Sequence, residues 1–89
     1  MPKGEISWKT QGPNGEPREI YVHHLGRQWL FYERAKRFDR WQALENPSWD
    51  DWQGLLDAVL RLINRRRLRP ECEAIVRRLI TDRFPDRQL

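Results

Sequence analysis

A chain of 89 residues has room for one small domain, because so short a sequence buries only roughly 60 to 65% of the surface its unfolded form exposes. Its 38% hydrophobic content is modest, but five Trp, two Tyr and three Phe supply large apolar side chains and argue against disorder. The net charge of +4 comes from 14 Arg and 3 Lys against 13 acidic residues, so guanidinium, suited to bidentate phosphate or carboxylate contacts, dominates the cations.

The predicted elements begin with GEISWKT, which reads as a short strand with Ile6 and Trp8 on one face and Ser7 and Lys9 on the other. GPNGEP, residues 12 to 17, gathers turn formers and reads as a loop. REIYVHH continues as a second strand, Leu25-Gly26 offers a two-residue hairpin turn with Gly26 at positive φ, and RQWLFYER returns as a third strand. With His24 opposite Arg27, this register sets Val22 against Trp29 and Ile20 against Phe31. One face then carries Ile6, Trp8, Ile20, Val22, Trp29 and Phe31 as the core. The other carries Tyr21, His23, Leu30, Tyr32, Arg34 and Lys36.

Residues 35 to 46 admit two patterns. Phe38, Trp41 and Leu44 recur at helical spacing, while DRWQAL fits a fourth short strand closing a meander, the reading adopted here. PSWDDWQ is a helix start: Ser48 as N-cap, Asp51 completing a capping box, Asp50 and Asp51 at the positive end of the dipole, and Pro47 spaced to staple onto Trp52. The helix it opens carries Trp52, Leu55, Leu56, Val59, Leu62 and Ile63 on one stripe. A second helix opens at Pro70, buries Cys72, Ile75, Val76, Leu79 and Ile80, and ends at Pro85. The expected fold is α+β: a small antiparallel sheet of three or four strands, packed on one face by a C-terminal α-helical hairpin. The chain forms a single domain over 1–89, mainly β over 1–46, two helices over 47–85, and a flexible tail over 86–89. Since all the rings but Phe84 precede residue 53, the first half is expected to build most of the core.

A lone Cys72 on an apolar helical stripe can form neither an internal disulfide nor a thiolate cluster, which fits a buried thiol in a reducing compartment. The opening MPKGEISWKT lacks the apolar run of a signal peptide, and no stretch approaches the ~20 apolar residues that span a membrane. A cytoplasmic protein without membrane association is expected.

Two basic surfaces stand out. NRRRLRPE, residues 64 to 71, is the densest charge run; residues 61–89 carry nine basic and four acidic groups, net +5, against −1 for the preceding 60. Arg65, Arg66 and Arg67 either complement the negative end of the helix dipole or bind phosphate. A DNA-reading helix-turn-helix is disfavoured, because the residues it would present to the groove are Glu71 and Glu73. On the second sheet face Tyr21 and Tyr32 lie beside Arg18, Arg34 and Lys36, the combination of rings and cations that stacks single-stranded bases. The same rings would otherwise lie in a protein contact. The segment lacks the glycines that separate the aromatics of RNA-recognition domains.

Catalysis and metal binding are not expected. His23 and His24 point to opposite faces of a strand and cannot ligate one ion together. Asp50 and Asp51 are accounted for by capping, and no nucleophile or phosphate loop accompanies them. The sequence thus points to a small, arginine-rich, non-enzymatic binding module without cofactor, holding nucleic acid that is single-stranded or bound without sequence preference. The alternative is an interaction or structural module with an acidic protein partner, or one that self-associates as a homodimer.

Overall fold

Alternation of apolar and polar residues in the first half and helical periodicity in the second produce a four-stranded antiparallel sheet followed by two helices, an α+β fold. The computed structural model describes residues 5–25, 28–36 and 38–88. The chain divides into two compact units, Met1–Asn46 and Pro47–Leu89.

In the first unit the strands are β1 (Glu5–Gln11), β2 (Pro17–Leu25), β3 (Gln28–Arg34) and β4 (Gln42–Ala43), paired in sequence order. The loop between β1 and β2 is built by its own residues. The Gly15 N–H donates to the Gly12 carbonyl at 3.0 Å around Pro13 and Asn14, and Gly15 takes φ 79°, a conformation open to glycine at no steric cost. The fourth strand expected from DRWQAL is present but only two residues long, opposite Tyr32 and Glu33.

The β2–β3 register differs from the sequence expectation by two residues. Leu25 pairs with Gln28 instead of entering the turn, so Val22 faces Phe31 and His24 faces Trp29. Leucine is a poor turn former, and pairing it adds a rung to the ladder. The expected positive φ of Gly26 lies outside the described residues. Because side chains alternate with period two, a two-residue slip moves no side chain to the other face, and of the strand residues given a face only Arg18 departs from expectation. Ile6, Ile20, Val22, Trp29 and Phe31 are accordingly buried on one face and Trp8 half-buried. His24 shares that face, its ring parallel to Trp29 at 3.9 Å, while His23 lies on the other.

In the second unit α1 (Trp49–Asn64) starts as expected. The Asp51 N–H donates to Ser48 Oγ at 3.2 Å, and the Ser48 N–H donates to the Asp51 carboxylate at 3.0 Å, a reciprocal capping box. Trp52, Leu55, Leu56, Ala58 and Val59 are buried along it, while Leu62 and Ile63 are half-buried towards its end. Helix α2 (Glu71–Arg83) packs against α1 and stops at Phe84, ahead of Pro85. It buries Cys72, Val76 and Ile80, spaced four residues apart. Ile75, expected in the same stripe, is 45% exposed. At 3.6 residues per turn it sits about 100° around the helix from the middle of that row, and Leu79, nearer the row, is half-buried. After α2, Phe84 meets Trp49 edge to face at 5.5 Å, and the Arg87 guanidinium lies 5.4 Å over the same indole.

The core is more aliphatic than the ring count suggested. The largest fully buried side chains are Ile20, Leu55, Ile80, Val22, Val59 and Val76, and most buried positions belong to the helical half. Several rings, including Tyr21, Tyr32 and Trp41, stand instead on the second face of the sheet. No helix among the described residues is long and apolar enough to cross a membrane.

Candidate functional site

On the second face, odd-numbered residues of β2 stand beside even-numbered residues of β3. Tyr21 and Tyr32 are direct cross-strand partners, with ring centroids 5.7 Å apart and planes tilted by 48°. His23, two residues along β2, brings its ring to 6.5 Å from Tyr21 at 19°. Trp41, just before β4, reaches over β3 to within 5.5 Å of Tyr21 with a tilt of 40°. These four rings line an open hollow of about 180 Å3. The tyrosines and His23 are half-buried and Trp41 is 36% exposed, so mutual packing holds the rings without hiding them. Leu30 and Leu25, farther along the same face, are also exposed.

The cations are arranged more sharply than sequence alone suggested. Arg34 lies directly opposite Glu19, and its Nε and Nη2 both donate to one carboxylate oxygen, at 3.0 and 2.9 Å. The same guanidinium sits 4.2 Å over the Trp41 ring. Its charge is thus matched by a carboxylate and its flat face spent on an indole. Arg18 does not stand beside the tyrosines as expected: it shares the parity of Ile20 and Val22, so it projects from the core face, where its Nε donates to Glu33 at 3.0 Å. Lys9, on the ring-bearing face, and Lys36 line with Glu19 an open groove of about 330 Å3 at the end of the sheet. Lys36 is held there by a local turn, in which its N–H donates to the Asp39 carboxylate and the Asp39 N–H to its carbonyl. Neither lysine forms an ion pair among the described residues.

The second basic cluster lies in the helical unit. Helix α1 ends in a Schellman motif: the Arg67 N–H donates to the Leu62 carbonyl at 2.8 Å and the Arg66 N–H to the Ile63 carbonyl at 2.9 Å. Arg66 occupies the left-handed position of that motif, at φ 59°, where glycine is usual. Arg65, Arg66, Arg67 and Arg69 are all exposed, and none forms an ion pair among the described residues. Arg61 and Arg77, by contrast, each pair with a carboxylate four residues back.

Tyr21, Tyr32, Arg34 and Lys36 thus belong to the sheet unit, and Arg65, Arg66 and Arg67 to the helical unit. Trp41 is the ring that sequence reasoning missed. Nothing in a two-residue strand reveals its parity, and helical spacing with Phe38 competed with the correct assignment. No protein-family model, curated protein or solved structure matches the chain.

Proposed function

We propose that this protein is a non-enzymatic binding module that holds single-stranded nucleic acid without strong sequence preference. The observation that carries this reading is the ring cluster of Tyr21, Tyr32 and Trp41, with Lys9 and Lys36 at the adjacent end of the same sheet unit. Stacking is tolerant of base identity, because every base has a π-face, and lysines a short way along the strand can meet the backbone that follows a stacked base. Lys9 stands two residues along β1 from the partner of Tyr21, roughly 7 Å of strand, a suitable step from base to phosphate. The arginines at positions 65, 66, 67 and 69 add a second phosphate-binding surface. A cytoplasmic location accompanies this reading, on the buried free thiol of Cys72.

The test is fluorescence anisotropy of labelled single-stranded RNA, single-stranded DNA and duplex DNA at low and moderate salt. Single strands should bind more tightly than duplex, with affinity falling as salt rises through counterion release. Tyr32→Ala should weaken single-strand binding roughly five-fold or more while leaving the protein folded. Equal loss with every ligand, accompanied by unfolding, would assign Tyr32 to the sheet's stability alone.

The exposed Leu25 and Leu30 beside the rings favour a second reading, an apolar contact with a protein partner or with a second copy of the chain. Concentration-dependent association in analytical ultracentrifugation, without any binding of oligonucleotide, is the outcome that would select it.

A further inference from the structure

Stacking surfaces differ in whether they accept a run of bases or one base, and ring tilt decides between them. A run needs near-parallel planes at successive positions; here only His23 lies near-parallel to Tyr21, at 19°, while Tyr32 and Trp41 are tilted from it by 48° and 40° and close the row into a cup. A flat base in such a cup stacks on one ring and meets its neighbour at an oblique tilt, so that two ring faces contact one base. The hollow of about 180 Å3 is smaller than the roughly 300 to 1,000 Å3 of sites that engulf drug-sized ligands, and its walls are rings alone.

We propose, resting on the reading above, that the hollow of Tyr21, His23, Tyr32 and Trp41 takes one unstacked base of a single strand, and that Arg34, clamped by Glu19, is the positioning residue that holds Trp41 as its wall. Trp41 needs such a brace. It precedes a two-residue strand, and so short a ladder cannot by itself fix a large side chain. The Arg34 guanidinium at 4.2 Å from the indole is fixed in turn by two donations to one oxygen of Glu19. An arginine held in this way is not the phosphate ligand of the site. That part falls to Lys9 and Lys36, whose ammonium groups have no ion pair among the described residues. A base inside a duplex cannot enter the cup, so the site selects strands whose bases can be splayed out.

The experiment compares binding of a short oligouridylate, the same backbone with every base removed, and a duplex of equal length, using the full chain and three variants with folding checked by circular dichroism. The base-bearing strand should bind roughly ten-fold more tightly than the abasic one. Trp41→Ala should erase most of that ratio by weakening only the base-bearing strand, and Trp41→Phe should restore part of it. Glu19→Gln should lower the ratio in the same direction while abasic binding holds or strengthens, because it also takes a carboxylate out of the lysine groove; general loss of structure would weaken abasic binding as well.

An abasic strand that binds as tightly as the base-bearing one, with a steep salt dependence, would overturn the cup while leaving nucleic-acid binding intact. Failure of every strand to bind at low salt would overturn both. A ratio unchanged by Glu19→Gln would remove Arg34 from its positioning role.

Discussion

Arg66 sits at φ 59° because the Schellman geometry at the end of α1 requires a left-handed residue there, and the chain supplies arginine where glycine meets no steric penalty. A left-handed residue with a Cβ costs on the order of 1 kcal/mol. Arg66→Gly should therefore stabilise the protein by about that amount, read as a higher urea midpoint at unchanged slope. Arg66→Ala keeps the Cβ and should give no such gain. A neutral or destabilising glycine variant would mean that the Arg66 side chain contributes packing that outweighs the backbone strain. The dipole explanation of the arginine run accounts for its position after α1 but not for the strain, since a cation beside the motif would serve the dipole without adopting a left-handed backbone.

Among the secondary elements, the helix start and the helical faces carry sharp consequences. Ser48→Ala removes the acceptor of the Asp51 N–H and should cost about 1 kcal/mol in thermal or denaturant unfolding. Within α2, Ile80→Ala should cost roughly 2 to 5 kcal/mol, while Ile75→Ala should stay within about 1 kcal/mol, because the first side chain is fully buried and the second 45% exposed. Similar losses at the two positions would show that Ile75 is covered in solution. The capping box was legible in PSWDDWQ because it is a purely local arrangement. The sorting of strand residues into two faces was equally legible, Arg18 excepted, because parity survives any even slip of register; Arg18 was grouped with the tyrosines by charge although its parity is that of Ile20. What that slip concealed was who faces whom. With Leu25 in the turn, Arg34 falls opposite Pro17 and Tyr32 opposite Glu19. With Leu25 paired, Arg34 meets Glu19 and Tyr32 meets Tyr21. The ion pair and the ring cluster both depend on that one choice at the hairpin, and turn chemistry at Leu25, Gly26 and Arg27 was too weak a signal to make it. The expected burial of Ile75 failed for a different reason: an apolar residue at the edge of a stripe has no local feature that says whether a neighbour reaches it.

At the scale of the whole molecule, the charge is not concentrated in one half once the two units are counted. Residues 1–46 carry eight basic and six acidic groups and residues 47–89 carry nine and seven, so each contributes +2 of the total +4. What differs is how far each unit neutralises its cations internally. In the sheet unit Glu19 and Glu33 engage Arg34 and Arg18; in the helical unit the carboxylates of Asp57 and Glu73 engage Arg61 and Arg77 within single helices, which leaves Arg65, Arg66, Arg67 and Arg69 to the solvent or to a polyanion. Exposed i,i+4 pairs are worth only about 0.3 to 0.5 kcal/mol, so these pairings act mainly by deciding which cations remain available. If the turn binds phosphate, removing one phosphate-binding cation should reduce the slope of log affinity against log salt by about 0.7 for a single strand. The variant Arg65→Gln with Arg67→Gln, which leaves the strained Arg66 in place, should lower that slope by about 1.4 and weaken all single strands alike. Lys9→Gln and Lys36→Gln should lower it by a similar amount if the sheet face also meets the backbone. A slope that responds to the lysines and not to the arginines would confine binding to the sheet unit, leaving Arg65 and Arg67 as complements to the negative end of the α1 dipole.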